Sequence, residues 1–118
     1  IGSAISRLVE IAREKKGWIV YKKTRTPLPG DIVLIGSWDA GEPQHVYTVT
    51  SVRVNENGDV LIESVDGGQR DSSGQQLITA KQRVWKNGRD LIAHDKQFKQ
   101  LDKWGRAVVA WISVDAVF

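Results

Sequence analysis

The sequence predicts an α+β fold: an N-terminal helix packed on a bent antiparallel sheet or half-open β-barrel of about five strands. Three observations predict it. Apolar residues recur at helical spacing only near the start of the chain, in Ile5, Leu8, Val9 and Ala12. A continuous apolar run of strand length, Ile32-Val33-Leu34-Ile35, then stands between Gly30 and Gly36. Beyond it come alternating segments punctuated by Asn-Gly pairs, the residues that supply positive φ in hairpin turns.

Taken in order, the first helix spans residues 4–16, with Ser3 placed to cap its start and Lys15, Lys16 and Gly17 placed to end it. Residues 24–30 hold two prolines and a glycine, so the chain turns there. Ile32-Val33-Leu34-Ile35 is a central strand. Residues 45–54 form the next one, with Val46, Thr48, Thr50, Val52 and Val54 alternating against Tyr47, Val49, Ser51 and Arg53. Residues 59–65 return across Asn55-Glu56-Asn57-Gly58-Asp59. Residues 67–75 are polar and glycine-rich, a surface loop, and residues 77–85 are a strand that Asn87-Gly88 ends. Residues 89–105 fit a mobile loop or a short irregular helix equally well. Ala107-Val108-Val109-Ala110-Trp111-Ile112 is the last strand.

The chain has 118 residues and is 41% hydrophobic, which suits one domain over residues 1–118 with a core that needs no metal or disulfide staple. With no cysteine, disulfides and cysteine zinc sites are excluded. No apolar run approaches the about 18–20 residues that cross a bilayer, and none has the order of a signal peptide. The absence of methionine suggests a processed product or a piece of a longer precursor. The net charge is +3, and Lys15, Lys16, Lys22, Lys23 and Arg25 gather after the first helix. They suit either the negative end of a helix dipole or an anionic polymer.

Two histidines are candidates for proton transfer. His45 follows a loop of turn residues and opens an apolar strand, a position fixed by a sheet yet reachable from solvent. Its alternative is a residue that simply caps the loop. Counting about the 55–59 turn puts residues 66–69 beside it, so Asp66 is a candidate to orient the imidazole, with Gln69 able to do so by its amide. Asp66-Gly67-Gly68 also reads as turn chemistry, and a slip of one residue would point Asp66 away. His94 lies in a polar stretch with no apolar frame. Trp38, in the loop before His45, is a candidate groove lining for a sugar or peptide stem, or a loop anchor. No metal-ligand spacing and no phosphate-cradling glycine loop occurs, and no cofactor is expected.

Pro29-Gly30-Asp31-Ile32-Val33, His45-Val46-Tyr47-Thr48-Val49-Thr50-Ser51-Val52 and Ile62-Glu63-Ser64-Val65-Asp66-Gly67-Gly68, with Arg83-Val84-Trp85 after them, resemble the CHAP-type branch of the papain-like hydrolases over residues 3–86. That resemblance implies an amidase or endopeptidase acting on peptidoglycan or a peptide, secreted or directed to the cell envelope, of bacterial or phage origin. It implies His45 as base, Asp66 as its acidic partner, and a nucleophilic cysteine at the start of the first helix. Here that position reads Ile1-Gly2-Ser3-Ala4-Ile5-Ser6, so Ser3, then Ser6, stands where the thiol is expected. The expectation is thus a cysteine-hydrolase ancestry with the nucleophile replaced or lost, and activity left open. A non-catalytic β-barrel module that binds a wall polymer or a protein partner is the alternative. A small nucleic-acid-binding barrel is a weaker third. Oligomeric state is not readable from the chain.

Overall fold

The computed structural model describes residues 3–36, 43–70 and 72–117. The chain folds as α1 (Ser3–Glu14), β1 (Trp18–Val20), β2 (Ile32–Gly36), β3 (Pro43–Val54), β4 (Val60–Arg70), β5 (Gln76–Lys86), β6 (Arg89–Ala93), β7 (Arg106–Ile112) and α2 (Val114–Val117). All pairings are antiparallel, in the order β1-β7-β2-β3-β4-β5-β6, and β6 pairs back onto β7 through Arg89↔Ala107 and Asp90↔Arg106. That last ladder closes six strands into a barrel, with β1 as an extra strand outside it.

The α+β expectation is therefore corrected. The protein is mainly β, 49% strand against 13% helix, and the barrel is closed rather than half-open. Two strands account for the difference. β1 has only three residues, too few for a periodicity to show. β6 carries Asp90 at an inward position, where an alternating strand is expected to show an apolar residue, so its pattern reads as loop. Between β6 and β7 the chain turns through residues 94–100, where the Asp95 carboxylate accepts the backbone N–H groups of Lys99 (2.7 Å) and Gln100 (2.9 Å). Those bonds hold the exposed Asp95 carboxyl below its ordinary pKa.

The apolar run of β2 is explained by burial on both faces. Val33 and Ile35 point into the barrel with Val49, Ile62, Trp85, Val108 and Trp111. Ile32 and Leu34 point outward, where Leu8, Val9, Ile11 and Ala12 of α1 cover them together with Val46, Ile112 and Val117. The Pro29-Gly30-Asp31 turn that leads into β2 is structural. Asp31 is buried and its carboxylate accepts N–H groups from Leu28 (2.8 Å) and from Val114 (3.1 Å), so it ties the turn to the start of α2.

The hairpin expected across residues 55–59 forms, and a second one, where a loop or short irregular helix is expected after Asn87-Gly88, joins β5 to β6. The Asn55 side chain accepts N–H groups from Asn57 and Asp59 and Gly58 takes φ 82°, joining β3 to β4. Asn87 and Gly88, with φ of 52° and 77°, make the two-residue turn from β5 to β6.

Candidate functional site

One irregularity in β3 builds the site. From the 55–59 turn the β3–β4 register runs as Val54↔Val60, Val52↔Ile62 and Ser51↔Glu63, then shifts so that Val49 meets Ser64 and Thr48 meets Val65. Thr50 is the extra residue, a β-bulge. Below it Val52 packs on the barrel interior, and above it Tyr47 and Val49 do. The inward set of β3 thus passes from even to odd positions, and His45, opposite the inward Ile35, joins it. An unbroken ladder would pair Asp66 with the outward Thr48. With the bulge, the same register carried on places Asp66 opposite Tyr47, on the inner face and one diagonal step from His45.

The result is a continuous buried polar network. The His45 ring, with its side chain 22% exposed, lies with Nε2 at 2.5 Å from Oδ2 of Asp66, which is fully buried. Arg83 donates to the same oxygen at 2.6 Å, and Ser64 donates its hydroxyl to Oδ1 at 3.2 Å. Arg83 also donates Nε–H to the Ser64 hydroxyl at 3.0 Å and a second guanidinium N–H to Oδ1 of Asp90 at 2.7 Å. The other oxygen of Asp90 accepts the Tyr47 hydroxyl at 2.6 Å and shares the Trp85 indole N–H, 3.0 Å from each. The Arg83 guanidinium lies over the Tyr47 ring, 4.1 Å from its centre.

Burial fixes the protonation states of two members. Desolvation, reinforced by the Asp90 carboxylate, pushes the Tyr47 hydroxyl well above its usual pKa, so it remains a donor. For Arg83 desolvation acts to lower the pKa, but Asp90, Tyr47 and Asp66 together outweigh it and the value is raised, so the guanidinium stays charged. No buried side-chain nitrogen or oxygen lacks a partner among the described residues.

Above the network opens a cavity of about 370 Å³, lined by Ile35, His45, Lys81, Arg83, Asp90, Ile92, Trp104, Gly105 and Arg106. His45 and Asp66 are therefore brought together as the sequence suggests, by a bulge that it does not announce. Trp38 lies outside the described residues, as do the side chains of Ser3 and Gln69. Trp104 is the described tryptophan on the cavity. His94 pairs with Asp102 on the surface and takes no part in the hydrogen bonds of the network.

Helix α1, whose backbone begins at Ser3, covers the outer face of β2 and β3, whereas His45 belongs to the inner face. The carbonyl of Gly17, just after the helix, accepts the Ser113 N–H, which anchors its C-terminal end beside Ile112 and the Ile32 end of β2. The first turn points away from that end.

Arg83, Asp90, Ser64 and Tyr47 carry the network yet were not singled out in the sequence as site residues. A signal existed. Counting back from the Asn87-Gly88 turn sets Trp85 opposite Asp90, and Arg83 shares a face with Trp85, so a cation and a carboxylate meet on the inner side. No family model, no curated protein and no solved structure matches this chain.

Proposed function

We propose that this chain is a papain-like, CHAP-type amide-hydrolase domain in which His45 is the general base and Asp66 its orienting partner. The observation that carries the reading is the contact of His45 Nε2 with a fully buried Asp66 that is paired to Arg83. An ionised carboxylate only accepts hydrogen bonds, so Nε2 holds the ring proton and Nδ1 keeps the lone pair. A nucleophile placed at Nδ1 would give its proton to the ring while its oxygen or sulfur attacks the amide carbonyl. Nδ1–H would then return that proton to the departing amine nitrogen. Asp66 stabilises the imidazolium between the two transfers.

The sequence offers Ser3, at the start of α1, for the nucleophile position, which requires the first turn of a helix lying on the outer face of the sheet to reach the inward-facing His45. Ser3→Cys tests the arrangement without requiring the natural substrate. Beside an imidazole base, the introduced thiol reacts with iodoacetamide at pH 6 at least about tenfold faster than free cysteine, whose pKa is about 8.5. His45→Ala abolishes the excess, and the single variant releases fragments from purified peptidoglycan. An ordinary alkylation rate that ignores His45→Ala in well-folded protein contradicts the proposal.

A non-catalytic binding module is the second reading, favoured by one observation: the cavity beside His45 has cations and an exposed tryptophan at its opening.

A further inference from the structure

The cavity is electrically two-layered. Asp90 lines its floor and Asp66 lies beneath, their side chains 1% and 0% exposed, and both are engaged by internal partners: Asp66 by Arg83, His45, Ser64 and, more loosely, Lys81, Asp90 by Arg83, Tyr47 and Trp85. Its rim holds Lys81 and Arg106. The Lys81 ammonium stands 3.9 Å from Oδ2 of Asp66, beyond hydrogen-bond reach of an oxygen already shared by His45 and Arg83. Arg106 is exposed, and its side chain makes no hydrogen bond or ion pair to a described residue. The negative charge is thus engaged inside, while Arg106 faces solvent and the half-buried Lys81 is held only by a long ion pair to Asp66, both over the same space that the His45 ring borders.

A platform adjoins these cations. Trp104 is 79% exposed, unusual for so large an apolar side chain, and the backbone that follows it is closely packed. The next residue, Gly105, packs so closely on β6 that a Cβ there would sit 2.1 Å from the Asp90 carbonyl oxygen, and its own carbonyl accepts a hydrogen bond from Arg89 at 3.1 Å. Ile35 and Ile92 complete apolar walls.

We propose that this cavity selects an amide substrate bearing a free carboxylate close to the scissile bond, with the carboxylate held by Lys81 and Arg106 and the adjoining part of the chain laid on Trp104. The selectivity deepens the reading of His45 as a base and rests on it for the word substrate. The binding itself does not need the reaction. Two rim cations around one small cavity suit a single compact anion, since a carboxylate can accept charge-assisted hydrogen bonds from both.

The test is binding, read by NMR titration of the unmodified chain with two blocked dipeptides, N-acetyl-alanyl-glutamic acid α-amide and its glutamine counterpart. They differ only in one charge. The glutamyl peptide shifts the His45 ring and the Trp104 indole signals saturably, and the glutaminyl peptide binds at least about tenfold more weakly. Lys81→Gln and Arg106→Gln each weaken the glutamyl peptide by about tenfold while leaving the rest of the spectrum and the Tm unchanged. Equal affinity for the two peptides, no saturable shift up to the solubility limit, or affinity indifferent to both substitutions overturns the proposal. Carboxylate binding combined with an unreactive thiol in Ser3→Cys would leave an anion-binding pocket and remove the base. A reactive thiol without carboxylate preference would do the reverse.

Discussion

The two halves of the barrel interior are equally dry and differently made. On one side Val33, Val49, Ile62 and Trp111 are at most 1% exposed, and on the other Asp66, Arg83 and Asp90 are 0%, 2% and 3% exposed. The apolar half is held by shape and transfer from water, so its stability follows the volume of what is buried. The polar half is held by mutual neutralisation, since a carboxylate or guanidinium in so dry a place is tolerated only with its partners in hydrogen-bond contact. Tyr47 and Trp85 belong to both halves: their rings pack in the apolar cluster and their polar tips reach Asp90. Equal burial thus predicts unequal responses to mutation.

The largest expected effect is at Arg83. Arg83→Met leaves two buried carboxylates without their common cation and destabilises the fold by about 3–5 kcal/mol in urea melts. Adding Asp66→Asn and Asp90→Asn removes the orphaned charge and recovers most of that loss. If Arg83→Met alone is no worse than an apolar change of similar size, the division between the halves is wrong.

Tyr47→Phe comes next, at about 1–3 kcal/mol, because Asp90 loses one of its donors while the ring packing stays. Its pH dependence sharpens the comparison. With the folded hydroxyl pushed well above 10.0, the unfolded chain loses the Tyr47 proton first as pH rises, so it binds fewer protons than the native state. The Tyr47 contribution is full below pH 10.0 and is lost progressively as pH climbs toward the folded value, whereas in Tyr47→Phe that part of the alkaline decline vanishes. Melts between pH 8 and 11 read this directly. Smallest is Ile62→Val in the apolar half, at about 0.5–1.5 kcal/mol and with no change in pH profile.

Much of this was legible in the residues. The first helix, the doubly buried strand β2 and the hairpin across residues 55–59 follow from periodicity and turn chemistry, whereas the hairpin at Asn87-Gly88 does not, because β6 reads as loop. Counting about residues 55–59 also brought Asp66 to the neighbourhood of His45. The bulge at Thr50 was not legible: Val46, Thr48, Thr50, Val52 and Val54 alternate without a break in composition, and only pairing with β4 reveals that the inward face changes at that residue. Barrel closure was missed for a related reason. Asp90, the inward residue of β6, is polar because it belongs to the network, so the strand that closes the barrel lacks the apolar alternation by which strands are recognised.

The chemistry proposed for His45 requires its ring to face inward with Nε2 given to Asp66. The ¹⁵N chemical shifts of the His45 ring, measured at a pH where it is neutral, read this directly. A fixed tautomer with the proton on Nε2 and a lone pair on Nδ1, lost in Asp66→Ala, is the predicted result. A proton on Nδ1, or a freely averaging ring indifferent to Asp66, contradicts it.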